Sequence, residues 1–380
     1  MERIVETKRT LSRPSEETVA DVRCLMLDLV RGERLESDPL SRWTARHWEV
    51  VAENLIAPWL HKSLPKDVRK RLSQDLRNRL RESFELSARI SLFQEASLAE
   101  TLNRLGSNGI PVVVLKGVAL GRLVYSDPAL RPMSDIDLLV RRENFDKARS
   151  LLIESGYEQT ADLPLPKPLQ EVFQPAATLV VTGQITRIVD LHRDLWPMGY
   201  YRWDSSQLWS LAQETTIAGQ SVFVFPLELN LIHCGLNTLS HGSLLRDWLD
   251  VLLIMHRPEF NWGRFLALAD SLGVMRPLYW ILRHQQSHWK AVIPEDVIQN
   301  LGGYRPRWLE DRVICGRFRY VWRKLSRFRS IPGSRLKLSY LKVILMPSAE
   351  YRRSATGGAG WAQYIRSKGE SFSRLYRSDL

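Results

Sequence analysis

Apolar residues recur at helical spacing soon after the chain begins: Val19, Val22, Leu25, Met26 and Leu29 form one stripe behind Ser15. This predicts a helix over 16–30 with Ser15 as its N-cap. A second helix is expected from about Thr44, carrying Trp48, Val51 and Leu55 ahead of Pro58. A long third is expected over 65–105, with Leu72, Leu76, Leu80 and Phe84 at four-residue steps, until Gly106 and Gly109 stop it. The period then changes. Residues 112–115 (Val-Val-Val-Leu) are β-branched and too few for a helix, so they read as a buried strand ended by Gly117. Helical spacing returns over 118–125, Pro128 and Pro132 break the chain, and 136–140 reads as a second strand. A helix over 144–155 follows, then a strand opening at Gly156-Tyr157-Glu158 and a loop through the three prolines of 163–168. Two β-like runs, 177–182 and 185–191, are joined by Gly183-Gln184 as a hairpin. From Trp203 the pattern is mainly helical apart from 222–225, with helices over 227–238, 244–255, 261–272, 275–288 and 307–327.

Strands confined to the middle of the chain with helices on either side imply an α+β fold, a mixed sheet with flanking helices. The expected regions are an N-terminal helical part (1–108), a sheet-bearing core (109–226), a helical domain (227–300) and a basic helical C-terminal region (301–380).

Composition changes this picture in two places. No window approaches the run of about 18 apolar residues that a membrane helix needs. The N-terminal MERIVETKRTLSR lacks the apolar core of a signal peptide. Cys24, Cys234 and Cys315 lie far apart and match neither a disulfide framework nor a zinc spacing, so they read as small buried residues in a reducing cytoplasm. The net charge of +12 is uneven: residues 301–380 hold 18 Lys and Arg against 5 Asp and Glu, or +13, leaving −1 for the rest. Within 307–329, Trp308, Phe318, Tyr320, Trp322 and Phe328 are interleaved with Arg312, Arg317, Arg319, Arg323, Lys324 and Arg327. RNA or an anionic membrane surface would use that mixture, and so would an amphipathic helix that buries its aromatics and leaves its arginines in water.

The candidate chemistry lies in the second strand. In an extended chain residues i and i+2 face the same side, so Asp135 and Asp137 converge while Ile136 and Leu138 turn away. Such a pair on an exposed edge is an ordinary solvated face. In a buried strand unpaired carboxylates are expensive, and Mg2+, a hard cation that takes one or two carboxylates plus substrate phosphates, relieves them.

These residues resemble the nucleotidyltransferases of the polymerase-β-like superfamily, most closely a little-characterised branch. The matching positions are Leu115-Lys116-Gly117, Tyr125, Pro128, Arg131 and Asp135-Ile136-Asp137-Leu138-Leu139-Val140, and then Val189-Asp190-Leu191-His192. The resemblance covers about residues 40–255 and, more loosely, the tail. It implies a nucleotidyltransferase-type sheet in which Asp135, Asp137 and Asp190 are catalytic and hold Mg2+ or Mn2+. It further implies that Lys116, Gly117, Arg131 and Ser134 bind a nucleoside triphosphate, and it makes His192 a substrate-contact candidate. The implied reaction moves a nucleoside monophosphate to a hydroxyl on a small molecule, RNA or protein, and a catalytically silent nucleotide- or RNA-binding scaffold of the same fold is the alternative. Many superfamily members carry Gly-Ser at the helix start, where this chain has Gly117-Val118 and so lacks that hydroxyl. His233, Asp247 and Asp250 also match the branch and read as polar groups tying helices together.

Overall fold

The computed structural model describes residues 15–33, 43–160, 168–170, 174–183, 185–196, 205–241, 244–303, 328, 331, 333–346, 348–349 and 352. The helix expected over 307–327, its aromatic and basic side chains apart from Phe328, and Cys315 lie outside the described residues.

Helix α1 (Glu16–Arg31) starts as expected, the Ser15 side chain accepting the Thr18 N–H, and ends at Gly32 with φ 67°. Next come α2 (Ala45–Glu53), α3 (Ala57–Ser63), α4 (Lys66–Arg71) and α5 (Gln74–Gly106). The single long helix expected here is two. Leu72 is extended (φ −60°, ψ 150°), and the Ser73 hydroxyl then accepts the Leu76 N–H to start α5. Apolar spacing runs unbroken across the join because Leu72 and Leu80 are buried in one cluster with Leu76 packed against it, while the serine offers the backbone a local alternative to helix continuation.

A seven-stranded mixed sheet follows, ordered β3-β4-β5-β2-β1-β7-β6. Its strands are β1 (Val112–Val114), β2 (Ile136–Val140), β3 (Glu158–Gln159), β4 (Ala176–Val181), β5 (Arg187–His192), β6 (Gln213–Ile217) and β7 (Gln220–Val224). The β2–β5 and β1–β7 pairs are parallel and the others antiparallel. Between the strands lie, among the described residues, α6 (Lys116–Leu123), α7 (Phe145–Glu154) and α8 (Ser205–Trp209), with a further helical stretch at 168–170. Strand β6 was not expected. It is an edge strand of mostly exposed Gln, Glu and Thr, so no apolar run announces it; Ala218 and Gly219, at φ 50° and 73°, make the two-residue turn into β7. Helices described after the sheet are α9 (Leu227–His241), α10 (Leu245–Met255), α11 (Trp262–Leu272), α12 (Met275–His288), α13 (Glu295–Gly302) and α14 (Ser334–Leu345).

Strand alternation divides the side chains between two cores. Val112, Val114, Ile136, Leu138, Val189 and Leu191 pack on one face of the sheet against Leu98, Leu102 and Leu105 of α5 and Phe145 and Leu152 of α7. Val113 and Leu139 join the opposite core, which gathers Leu25 and Met26 of α1, Leu229 and Ile232 of α9 and Leu249 and Leu252 of α10. Residues 137, 190 and 192 share the parity of Leu139, so they face α9 and α10 rather than α5. Of the cysteines, Cys234 is buried as expected and Cys24 is exposed. Among the described residues no helix is long and apolar enough to cross a membrane.

Candidate active site

The parallel pairing of β2 with β5 sets Asp137 opposite Asp190 and Leu139 opposite His192. Asp137 is 3% exposed, and its Oδ1 accepts two hydrogen-bonding partners, Lys116 Nζ at 2.6 Å and His192 Nε2 at 2.9 Å. Asp190 is held from the other side by Thr178 on β4, whose hydroxyl donates to Oδ1 at 2.6 Å. One ligand atom from each of Asp137, Asp190 and His192 lies within 4.8 Å of the others. Asp135 precedes β2, is partly exposed, and stands outside that close group with Ser134 donating to it at 3.3 Å.

Electrostatics follow this layout. Burial, then the Asp137 and Asp190 charges, raise the Asp135 pKa above the usual carboxylate value. Burial also opposes the charge on Asp137, but the hydrogen bond from His192 and the Lys116 ammonium outweigh it and hold that carboxyl well below its ordinary range. Burial likewise works against the charge on Lys116, and Asp137 beside it raises the net pKa. Lys116 is the first residue of α6 and has φ 43°, a left-handed conformation that disfavours a side chain and is retained where function or packing demands it.

Two carboxylates and an imidazole converging on one point suit a divalent cation with oxygen and nitrogen ligands. Among the described residues the Nδ1 atom of the buried His192 has no hydrogen-bond partner, so this ring has coordination capacity to spare there. The site opens into a cleft of about 290 Å3 lined by Lys116, Gly117 and Asp135 on one side and Asn237, Thr238 and Arg246 on the other.

A family model described as "Uncharacterised nucleotidyltransferase" matches residues 42–290, more than half of the chain. The chain belongs to this family. The expected likeness to a nucleotidyltransferase branch without a characterised activity is thereby met. Two solved structures are similar at a TM-score of 0.34. One is an antigenic nucleotidyltransferase-like protein from Paracoccidioides brasiliensis, 19% identical and covering 54% of this chain and 95% of its own. The other is the antibiotic-resistance factor ANT(2'')-Ia, 14% identical and covering 52% of this chain and 99% of its own. No curated protein matches.

In this member of the family Val118 is buried in the sheet core, so the position after Gly117 has no hydroxyl to offer. Arg131 is 7% exposed and largely engaged: its Nε donates to Asp250 Oδ1 and Oδ2 at 3.0 and 3.1 Å and its Nη2 to Oδ2 at 2.8 Å. Tyr125 donates to the same carboxylate at 2.7 Å. Asp250 thus ties α10 to the loop between α6 and β2, the tying role expected of it. Arg246 makes a second tie, donating to the Pro132 carbonyl at 2.7 Å and to Asp247.

The engaged guanidinium explains Gly117. A Cβ there would lie 2.8 Å from Arg131 Nη1 and 3.1 Å from Met133 Sδ. Arg131 cannot swing aside without giving up Asp250. Gly117→Ala is therefore expected to lower stability by about 1–3 kcal/mol through overpacking, measured by urea unfolding.

His233 on α9 lies edge-on to Trp196, ring centroids 5.6 Å apart. Burial, with Lys116 and His192 nearby, lowers its pKa to about 3. The unfolded chain takes up a proton near pH 6.5 where the folded chain does not, so this residue's contribution to stability is whole above pH 6.5 and is lost as pH falls toward 3. His284, lowered to about 4 by burial and His288, acts in the same direction. Urea midpoints measured between pH 6 and 4 should fall, and His233→Leu should remove up to about 1.4 kcal/mol per pH unit from that slope.

Proposed function

We propose that the chain moves a nucleoside monophosphate from a nucleoside triphosphate to a hydroxyl acceptor. The acceptor oxygen attacks the α-phosphorus, the bond from that phosphorus to the β-phosphate bridging oxygen breaks, and pyrophosphate leaves. The observation that carries this reading is the placement of Asp137 and Asp190 side by side across β2 and β5, with His192, where Asp137 lines a cleft.

Asp137, Asp190 and His192 would hold Mg2+ or Mn2+, and Asp135 would complete the set once its repulsion from the other two carboxylates is offset. Such an ion, when bound, lowers the pKa of an attacking hydroxyl and neutralises charge on the triphosphate. Asp190 accepts the proton of the attacking hydroxyl. Lys116 exchanges Asp137 for a phosphate oxygen, and Gly117, with no Cβ in the first turn of α6, lets backbone amides at the start of that helix approach the phosphates. Arg131, fixed by Asp250, packs against the first turn of α6 and has its Nη1 to offer, while Ser134 presents its hydroxyl at the rim. In this reading residues 109–226 are the catalytic unit, 227–300 close the cleft from above, and the enzyme works in the cytoplasm on a soluble triphosphate.

The test is mass spectrometry after incubation with each triphosphate, Mg2+ or Mn2+ and a cell extract. A nucleotide-sized mass gain on RNA, protein or a metabolite, with pyrophosphate release, supports the proposal and names the acceptor. No gain on any of them, with no pyrophosphate, would leave a nucleotide-binding scaffold.

A further inference from the structure

The N-terminal helices carry a charge pattern that the proposed reaction does not use. Residues 61–81 contain eight Lys and Arg against two Asp, Asp67 and Asp75. The two aspartates pair with Arg71 and Arg79, and Arg81 faces Glu85 at 3.8 Å. Arg69 and Arg77 are different. Both are half-buried beside a shallow cleft of about 250 Å3, and both are held by uncharged oxygens. Arg69 Nη1 donates to the His61 carbonyl at 3.0 Å. Arg77 donates from Nη1 to the Lys70 carbonyl at 3.0 Å and from Nη2 to Gln74 Oε1 at 2.7 Å. Among the described residues neither guanidinium forms an ion pair, so each is fixed in place with its charge uncompensated. The field is felt locally: burial, then Arg69 and Lys62, hold the His61 pKa below its usual value.

We propose that this face of α3, α4 and the first turns of α5 binds the phosphate backbone of a nucleic-acid strand, with Arg69 and Arg77 as the central contacts. Arginine forks match phosphate oxygens, and preset guanidiniums lose little freedom on binding. The surrounding Lys62, Lys66, Lys70 and Arg81 extend the surface beyond the reach of a single phosphate group. Binding is independent of base sequence, because the ring of Phe84 is already stacked on His61 at 5.3 Å and capped by Lys62 at 4.5 Å. Helix α5 links this face to the cleft: Ser87 donates to the Ala129 carbonyl and Gln94 to that of Met133. Ser87 lies ten residues beyond Arg77, about 15 Å along the axis. Use of the bound strand as the nucleotide acceptor would rest on the reading above; its binding does not.

The experiment is fluorescence anisotropy of the full-length protein with a labelled single-stranded RNA over a range of salt. Arg69→Gln/Arg77→Gln is compared with the ion-paired Arg71→Gln/Arg79→Gln, and thermal melts confirm folding. The first variant should bind at least tenfold more weakly and reduce the slope of log K against log salt by roughly 1.4, two contacts at about 0.7 each. The second should change neither by a comparable amount. Arg69→Lys/Arg77→Lys, which keeps the charge and loses the fork, should fall between. Equal affinity and slope in the two glutamine variants would overturn the proposal. So would a folded Arg69→Gln/Arg77→Gln protein that loses binding to phosphatidylserine vesicles while keeping RNA.

Discussion

Asp137→Asn is expected to reduce nucleotidyl transfer by on the order of 10³-fold, with the loss in kcat more than in the KM for triphosphate. The carboxylate is 3% exposed and accepts from both Lys116 and His192. Its amide replacement is nearly the same size, so the β2–β5 register should survive while the charge opposed to Lys116 disappears. Asp190→Asn should behave alike, because its partner Thr178 can donate to the amide oxygen and keep the side chain in place. Steady-state assays of pyrophosphate release, on proteins whose circular dichroism matches wild type, check both. Near-normal turnover in either variant would remove the paired carboxylates from the chemistry.

The second large effect is on stability. Asp250→Ala should cost about 3–5 kcal/mol, because it leaves the Arg131 guanidinium and the Tyr125 hydroxyl buried without their shared partner. Burial opposes the charge on Arg131, and the Asp250 carboxylate is what overcomes that opposition. Replacing both members, as Arg131→Met with Asp250→Leu, should recover the part of the loss that comes from the unpaired guanidinium, since an apolar pair of similar volume needs no counter-charge, and leave the part due to the Tyr125 hydroxyl. Urea unfolding of the two variants gives the comparison. A double variant that regains stability but loses triphosphate affinity would assign Arg131 Nη1 a direct phosphate contact. One that regains both would leave it a brace for Gly117.

The central unit was legible because each of its elements is announced locally: a β-branched run, a glycine, helical spacing, two prolines and a second apolar run. That Asp190 joins Asp137 came from the resemblance alone: strand alternation puts Asp190 and His192 on one face, and only the parallel β2–β5 pairing sets that face beside Asp137. The partner of Arg131 was not legible, since Asp250 lies 119 residues away on a helix whose pattern reveals only its apolar side. Likewise His192 was noticed for sharing a face with Asp190, but its hydrogen bond to Asp137 arises from pairing between strands 55 residues apart. Strand β6 escaped because an exposed edge needs no hydrophobic alternation. The basic face over 61–81 was hidden by summation: acidic residues elsewhere bring residues 1–300 to a net −1, and total charge says nothing about which guanidiniums have carboxylates beside them.

Whether these side chains form a metal–triphosphate site is tested most directly by titrating Mn2+ into the protein with a non-hydrolysable nucleoside triphosphate analogue, following free Mn2+ by electron paramagnetic resonance. At least one tightly bound Mn2+ per chain is expected, dependent on the analogue and lost in both Asp137→Asn and Asp190→Asn. Absence of binding in the wild type, or binding that both variants retain, would contradict it.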